Sequence, residues 1–374
     1  MNLIRSIKTI IFLLFLTNTL YCRISNDSIV FNFEMAENTI SFINYARFEP
    51  DLKKVKERFY QSIATTDGYR CLIKHLSRFN QWDDEKYFDY LINVTGIVNG
   101  NVQNVNDKND IAKKIWKKAF IQTDSLKKII EKLKEYELNS KALILARKYL
   151  PLESNINISF FFIIHGSTPA FSLGKSNAID LLHIPKKKDG EPDIERLITI
   201  IAHEIHHSGF FDYIQKNNPG CLTDNRFTLL GTMVAEGMPT YYINQMPDKL
   251  NELKNSDSVF DLEVAKDWEK YGSNLITLFK KAEIDIKRNL DNSLIQDEIF
   301  NDWMKGAQGA AYVLGANMFY IIDKYLGLEY AIEVLKDFKK LLAVYNQAVY
   351  LAQNDSKTFF LFDNELITLI QNTK

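Results

Sequence analysis

The most informative pattern in this chain of 374 residues is Pro192-Asp-Ile-Glu-Arg-Leu-Ile-Thr-Ile-Ile-Ala-His-Glu-Ile-His-His207. The last five residues form an H-E-x-x-H motif. At 100° per residue in a helix, His203 and His207 lie about 40° apart and one turn along the same face. Two imidazoles placed in this way converge on one metal ion, and Glu204 can reach a water held in the open position of a zinc site. The motif therefore predicts a metal-binding helix that carries its own base.

Local signals predict that this stretch is helical. Pro192 suits the first helical position, and Asp193 and Glu195 suit the positive end of the helix dipole. Apolar residues recur at helical spacing and predict a core-facing stripe of Ile194, Leu197, Ile198, Ile201 and Ile205. The motif histidines point away from that stripe, so we interpret them as ligands facing a cleft. The alternative is a solvated polar face.

A zinc site built on two histidines needs a further protein ligand. A third histidine in the extended motif would require Gly and His where the chain has Phe210 and Tyr213. The next candidate is Glu236, because a carboxylate within an apolar helical run is costly to bury unless it is paired or bound to a metal. A glutamate that pairs with a lysine or arginine, or that faces solvent, is the alternative. We expect one Zn²⁺ per chain, bound by His203, His207 and Glu236.

These motifs resemble those of the gluzincins, the metallopeptidases of the thermolysin-like superfamily, in which a glutamate ligand on a second helix follows H-E-x-x-H. The matching stretches are Ile201-Ala-His-Glu-Ile-His-His207 and Ala235-Glu-Gly-Met-Pro-Thr-Tyr241. The stretch Ala311-Tyr-Val-Leu-Gly315 is similar to a Y-x-x-G helix found late in several such families. The chain also resembles a group of exported bacterial proteins regarded as zinc-dependent peptidases, over Leu150 to Gly327.

The resemblance implies zinc-dependent hydrolysis of a peptide bond in a peptide or protein substrate, with Glu204 as the general base. Tyr312 is the candidate donor to the developing oxyanion, because it begins the Y-x-x-G stretch. Tyr241, Tyr242 and His206 are alternatives for that role, and Tyr312 as a packing residue is another. Two other functions stay open: a zinc-binding scaffold without catalysis, and a metallohydrolase that acts on a non-peptide amide such as cell-wall material.

Two residues depart from the gluzincin pattern. Thr240 stands four positions after the glutamate ligand, where many gluzincins carry an acidic residue that orients a histidine. Pro239 is unusual in the same turn, and we expect it to kink or end the helix. His165 and His183 read as structural or strand-end histidines, because the ligand set is complete without them.

The remaining pattern predicts a mainly helical α+β fold. We expect a helical N-terminal region over residues 29–150 and a zincin-like metallopeptidase domain over residues 151–374, with a thermolysin-like core. Apolar residues recur at helical spacing in Leu52–Ile63, Tyr69–Phe79, Glu85–Asn93, Asp110–Ile121, Ser125–Leu138 and Ser140–Leu150, and again from Leu250 to Ile370. Strand patterns are found in Val30–Phe33, Ile156–Ile164 and Asn177–Ile184. The resemblance implies that the strand just before the motif helix is a sheet edge that can pair with an extended substrate.

Residues 1–22 have the shape of a signal peptide. Arg5 and Lys8 precede the short apolar core Ile10–Leu16, which is too short for a comfortable transmembrane helix. We therefore expect a secreted or periplasmic protein. The alternative is a lipoprotein with Cys22 as its first residue, tethered to a membrane only at that end.

Charge and cysteine content bear on the possible partners and on a possible disulfide. The chain has 46 basic and 47 acidic residues for a net charge of −1, with no basic stripe, so we expect no nucleic-acid partner. Cys71 and Cys221 allow one disulfide without defining it. The sequence does not fix the oligomeric state.

Overall fold

The computed structural model describes residues 27–80, 82–98, 101–102, 115–116, 123–166, 169–187, 189–291, 296–352 and 359–373. This part of the chain is mainly helical with a small four-stranded sheet, which confirms the α+β class. The expected signal peptide with Cys22, and most of the expected helix Asp110–Ile121, lie outside the described residues.

The strands are β1 (Ser28–Asn32), β2 (Ile97–Val98), β3 (Asn101–Val102), β4 (Asn157–Ile163), β5 (Ala170–Leu173) and β6 (Ser176–Asp180). The helices before β4 are α1 (Glu34–Ala46), α2 (Leu52–Ser62), α3 (Asp67–Asn80), α4 (Asp84–Thr95), α5 (Thr123–Glu135) and α6 (Leu138–Arg147). After β6 come α7 (Ile194–Asn217), α8 (Pro219–Thr223), α9 (Thr228–Tyr242), α10 (Leu250–Lys254), α11 (Val259–Gly272) and α12 (Leu275–Leu290). The last helices are α13 (Gln296–Ile299), α14 (Ala310–Leu326), α15 (Leu328–Lys336), α16 (Leu341–Ala352) and α17 (Asn364–Asn372).

The sheet has the strand order β1-β4-β6-β5. The pairs β1 with β4 and β4 with β6 are parallel, whereas β5 runs antiparallel to β6. The strand that precedes α7 in the chain, β6, therefore has a neighbour on both sides, and the expectation that it forms an edge was wrong. The reason is the tight turn at Gly174, whose φ of 63° lets β5 fold back along β6 and take the edge position.

The strand β6 also ends earlier than the sequence pattern suggests. Asp180 is buried, and its carboxylate accepts the backbone N–H of Leu182 at 3.0 Å and that of His165 at 3.3 Å. A side chain that bonds nearby backbone donors competes with the strand ladder, so the chain turns into a short 3₁₀ helix instead of continuing to Ile184. The same carboxylate ties the end of β4 to the end of β6.

Helix α7 begins with a side-chain cap. The Asp193 carboxylate accepts the N–H of Arg196 at 3.2 Å, and Pro192 lies before the cap instead of at the first helical position. The Arg196 guanidinium forms a two-pronged ion pair with Asp261 of α11, one of its bonds measuring 2.6 Å. On the opposite flank Gly209 lies so close to Leu150 that a Cβ would stand 2.5 Å from its Cδ1 atom. Helix α7 is therefore held by α11 at its first turn and packed closely against Leu150 in its second half.

Helices α9 and α14 cross with their backbones in contact. A Cβ placed on Gly237 would lie 2.4 Å from the carbonyl carbon of Gly315, and one placed on Gly315 would lie 2.3 Å from the carbonyl oxygen of Met233. Helix α9 continues through Pro239 to Tyr242, so of the kink or end expected at this proline, the end is wrong. The crossing brings Glu236, the residue before Gly237, close to Tyr312, which lies one turn before Gly315.

We expect Gly315→Ala to lower the free energy of unfolding by at least about 1–3 kcal/mol, because an added methyl group has no space without a backbone shift. Urea unfolding of the purified protein measures this change. Gly272→Ala is the matched control, since a Cβ at Gly272 meets nothing within 4 Å. Equal stability of the two variants would contradict the backbone contact.

Two further features bear on the expectations from sequence. Cys71 in α3 is buried and Cys221 in α8 is partly exposed, and both are free thiols. Among the described residues, no helix has the length and apolar character needed to span a membrane.

Candidate metal centre

Helix α7 buries the whole H-E-x-x-H motif. His203, Glu204 and His207 are 7%, 8% and 6% exposed, and His206 is fully buried. Atoms of His203, Glu204 and His207 that could bind a metal ion all lie within 4.8 Å of one another. A merely solvated polar face would not bury these three side chains, so this face of α7 lines an enclosed site.

Glu236 of α9 faces the two motif histidines. Its Oε2 atom lies 3.5 Å from Nε2 of His203 and 3.3 Å from Nε2 of His207. Metal–ligand distances of about 2.0–2.1 Å in a tetrahedral shell imply a spacing of about 3.3–3.4 Å between ligand atoms. The Glu236 oxygen therefore lies at zinc-ligand spacing from both nitrogens, and the three atoms have the chemistry of a three-ligand zinc site.

The bonding of these atoms agrees with that arrangement. Among the described residues, Oε2 of Glu236 and Nδ1 of His207 are buried and have no hydrogen-bond partner. The two histidines face Glu236, and no lysine or arginine of the described chain forms an ion pair with it. Buried polar atoms are rarely left unpaired, so this cluster fits a cation better than it fits a closed hydrogen-bond network.

Burial and mutual charge shift the pKa values of the cluster in opposite directions. Burial raises the pKa of Glu204, with a further rise from the Glu236 carboxylate and opposition from the imidazoles. Burial by itself would lower the pKa of His207, but Glu236 outweighs it and raises the value to about 9. Burial would raise the pKa of Glu236, yet the imidazoles of His207 and His203 bring it well below its usual range. The site strongly favours a positive charge beside Glu236.

Tyr312 of α14 lies beside the same carboxylates. Burial raises the pKa of its phenol well above the usual value, and the nearby carboxylates of Glu236 and Glu204 raise it further. A neutral phenol in this position can donate a hydrogen bond to a developing negative charge. The glycine crossing of α9 and α14 explains the proximity, because Tyr312 stands one turn before Gly315.

Two of the three alternatives to Tyr312, Tyr241 and His206, have polar partners elsewhere, whereas the Tyr242 hydroxyl is buried without a hydrogen-bond partner among the described residues. The Tyr241 hydroxyl donates to Asp323 at 2.9 Å, and the Tyr242 ring stacks on Tyr149 with centroids 4.8 Å apart. Nε2 of His206 lies 3.1 Å from the backbone carbonyl oxygen of Tyr149. None of these contacts involves the motif histidines or Glu236.

Sequence reasoning did not find one neighbour of the cluster. Nδ1 of His203 lies 3.4 Å from Oδ1 of Asn244, within hydrogen-bond distance. Asn244 follows Glu236 by eight residues and lies just beyond Tyr242, the last residue of α9. Eight residues at 100° each would place it about 80° round the axis from Glu236, so helical spacing gives no signal for it.

A protein family described as "Putative zinc dependent peptidase (DUF5700)" matches residues 60–373. The chain belongs to this family. The DUF5700 match includes α7, α9 and α14 and begins within α2, well before the motif. The description of the family supports a zinc-dependent hydrolase that acts on peptides. Neither the curated proteins nor the solved structures provide a match for the chain.

Proposed function

We propose that this protein is a zinc peptidase of the gluzincin type, with one Zn²⁺ bound by His203, His207 and Glu236. The observation that carries the proposal is the convergence of two imidazole nitrogens and one buried carboxylate oxygen at 3.3 and 3.5 Å, with Glu204 next to them. The family description agrees with it. A purely structural zinc site has four protein ligands and no use for a neighbouring base, so Glu204 favours catalysis.

The chemistry divides among the residues of the cluster. When bound, zinc would polarise the scissile carbonyl and lower the pKa of a water in its open position. Glu204 accepts a proton from the attacking water and passes it to the leaving amine, so the C–N bond breaks with the proton balance closed. Tyr312 donates a hydrogen bond to the carbonyl oxygen as negative charge develops on it.

We assign Glu236, and not Glu204, as the carboxylate ligand. The Oε2 atom of Glu236 stands at the ligand spacing from both Nε2 atoms and lacks a hydrogen-bond partner in the described structure. Glu204 follows His203 on the same helix, about 100° round the helix axis from it. That position suits a base beside the ligands, in agreement with the different roles that the proposal gives the two carboxylates.

Metal analysis with a peptide-library digest tests the proposal directly. Purified mature protein should contain about one Zn²⁺ per chain, cleave peptides, and lose cleavage on chelation and regain it with added zinc. A parallel panel of cell-wall amides distinguishes a non-peptide amidase. Zinc-loaded protein that cleaves neither class would overturn the catalytic proposal and favour a zinc-binding scaffold.

Tyr312→Phe should lower kcat by about 10²–10³-fold, the usual effect of removing one oxyanion donor. Zinc content and melting temperature should stay close to those of the unmodified protein, because the phenyl ring still packs in the crossing. Tyr330→Phe, which alters a 40% exposed tyrosine of α15, is the control and should leave kcat unchanged. A normal kcat in Tyr312→Phe would assign the donor role to another residue.

We also propose that the protein is exported, on the signal-peptide pattern of residues 1–22 alone. Mass spectrometry of the protein from its native host should find an amino terminus between Tyr21 and Ser28. An intact Met1 would contradict both cleavage and lipidation at Cys22.

A further inference from the structure

The first motif histidine has a partner on the side away from Glu236. Nε2 of His203 faces Oε2 of Glu236 at 3.5 Å, while Nδ1 lies 3.4 Å from Oδ1 of Asn244. A neutral imidazole carries one N–H and one lone pair on its two nitrogens. A hydrogen bond from Nδ1–H to the Asn244 oxygen leaves the lone pair on Nε2, where the other ligand atoms converge.

Thr240, one turn before Asn244, does not fill this role. Its side chain is fully buried, and its Oγ1 atom has no hydrogen-bond partner among the described residues. Four residues after Glu236, the chain thus offers a hydroxyl that does not bond to His203. The hydrogen-bond partner of His203 Nδ1 comes instead from the next turn, at Asn244.

The end of α9 fixes the position of Asn244. The backbone N–H of Asn244 donates to the carbonyl of Pro239 at 2.9 Å, and that of Met246 returns to the carbonyl of Thr240 at 3.1 Å. Between them Gln245 takes the left-handed conformation with φ at 56°. These bonds hold the half-buried Asn244 against α7.

We propose that Asn244 is a positioning residue for the metal centre, whose amide oxygen fixes the tautomer and ring orientation of His203. The inference rests on the proposed function, because it assumes that Nε2 of His203 is a ligand. Such outer partners typically account for 10–100-fold in metal affinity. An amide gives His203 the orientation that a carboxylate would give, without adding negative charge to a site that already holds Glu204 and Glu236.

Zinc affinity, measured by competition with a chromogenic chelator, tests this role without reference to turnover. Asn244→Leu removes the acceptor at similar volume and should weaken zinc binding about 10–100-fold. Asn244→Asp restores an acceptor and should bind zinc at least as tightly as the unmodified chain. Asn251→Leu, at an exposed asparagine of α10, is the matched control and should leave the affinity unchanged.

The melting temperatures of the zinc-free variants separate positioning from general packing. We expect all of them to melt close to the unmodified protein, so that only the zinc-bound state distinguishes them. Should the leucine variant not fold, Asn244→Ala removes the same acceptor with less volume. Unmodified zinc affinity in the leucine or alanine variant, or equally weakened affinity in Asn244→Asp, would overturn the role of Asn244 and leave the proposed function standing. An unmodified chain that binds no zinc would overturn the proposed function with it.

Discussion

Glu204→Gln should lower peptide turnover by at least about 10²–10⁴-fold while zinc stays bound. The substitution keeps the shape of the side chain and removes the group that accepts a proton from the attacking water, and general acid–base catalysis typically contributes this much. The metal ligands are untouched, because His203, His207 and Glu236 contribute the three converging atoms. The measurement is kcat on a cleaved library peptide, together with zinc content by elemental analysis.

The control for this variant is Glu195→Gln on the same helix. The Glu195 side chain is 82% exposed, far more than Glu204, so its charge is lost without any effect on the buried site. Unchanged turnover in Glu204→Gln would remove this residue from the mechanism. Loss of zinc together with turnover would instead make Glu204 part of the ligand set.

Removing a ligand should lower zinc affinity as well as turnover. His203→Ala and Glu236→Ala should each weaken zinc binding by more than about 100-fold, beyond the range typical of outer partners, and abolish cleavage with it. Each change removes one of three protein donors, and Glu236→Ala also leaves both imidazoles without the carboxylate that faces them. Competition with a chelator of known affinity measures the change.

Glu195→Ala is the matched control for the ligand variants, since it deletes an exposed carboxylate of α7. Its zinc affinity should equal that of the unmodified chain. Glu236→Ala with unmodified affinity would exclude Glu236 as a ligand and, with it, the gluzincin assignment. His203→Ala with unmodified affinity would place the metal elsewhere.

The helix that carries the motif was predictable because its signals are local. The periodic isoleucines and Asp193 act within a few residues, and the structure has a helix over Ile194–Asn217. The mainly helical α+β class followed in the same way from short-range spacing. Pro192 was placed one step too far into the helix, because Asp193 takes the cap with its side chain.

Features set by distant parts of the chain were not accessible from sequence. The hairpin of β5 and β6 can place either strand at the edge of the sheet. The spacing of apolar residues within a strand does not indicate which of the two it is. The contact between Gly237 and Gly315 joins residues 78 positions apart (315 − 237), so the two glycines gave no sign of touching. The contact of Asn244 with His203 likewise joins residues 41 positions apart, on segments whose packing the sequence pattern does not give.

The packing of α7, α9 and α14 sets an order of assembly for the site. His203 and His207 lie on one helix, whereas Glu236 reaches them when α9 packs on α7, and Tyr312 reaches them when α14 crosses α9. A chain still folding can hold zinc through the histidine pair alone, and weakly. Tight retention of the ion then requires completed tertiary structure, so metal affinity measured during refolding reports when these helices have packed together.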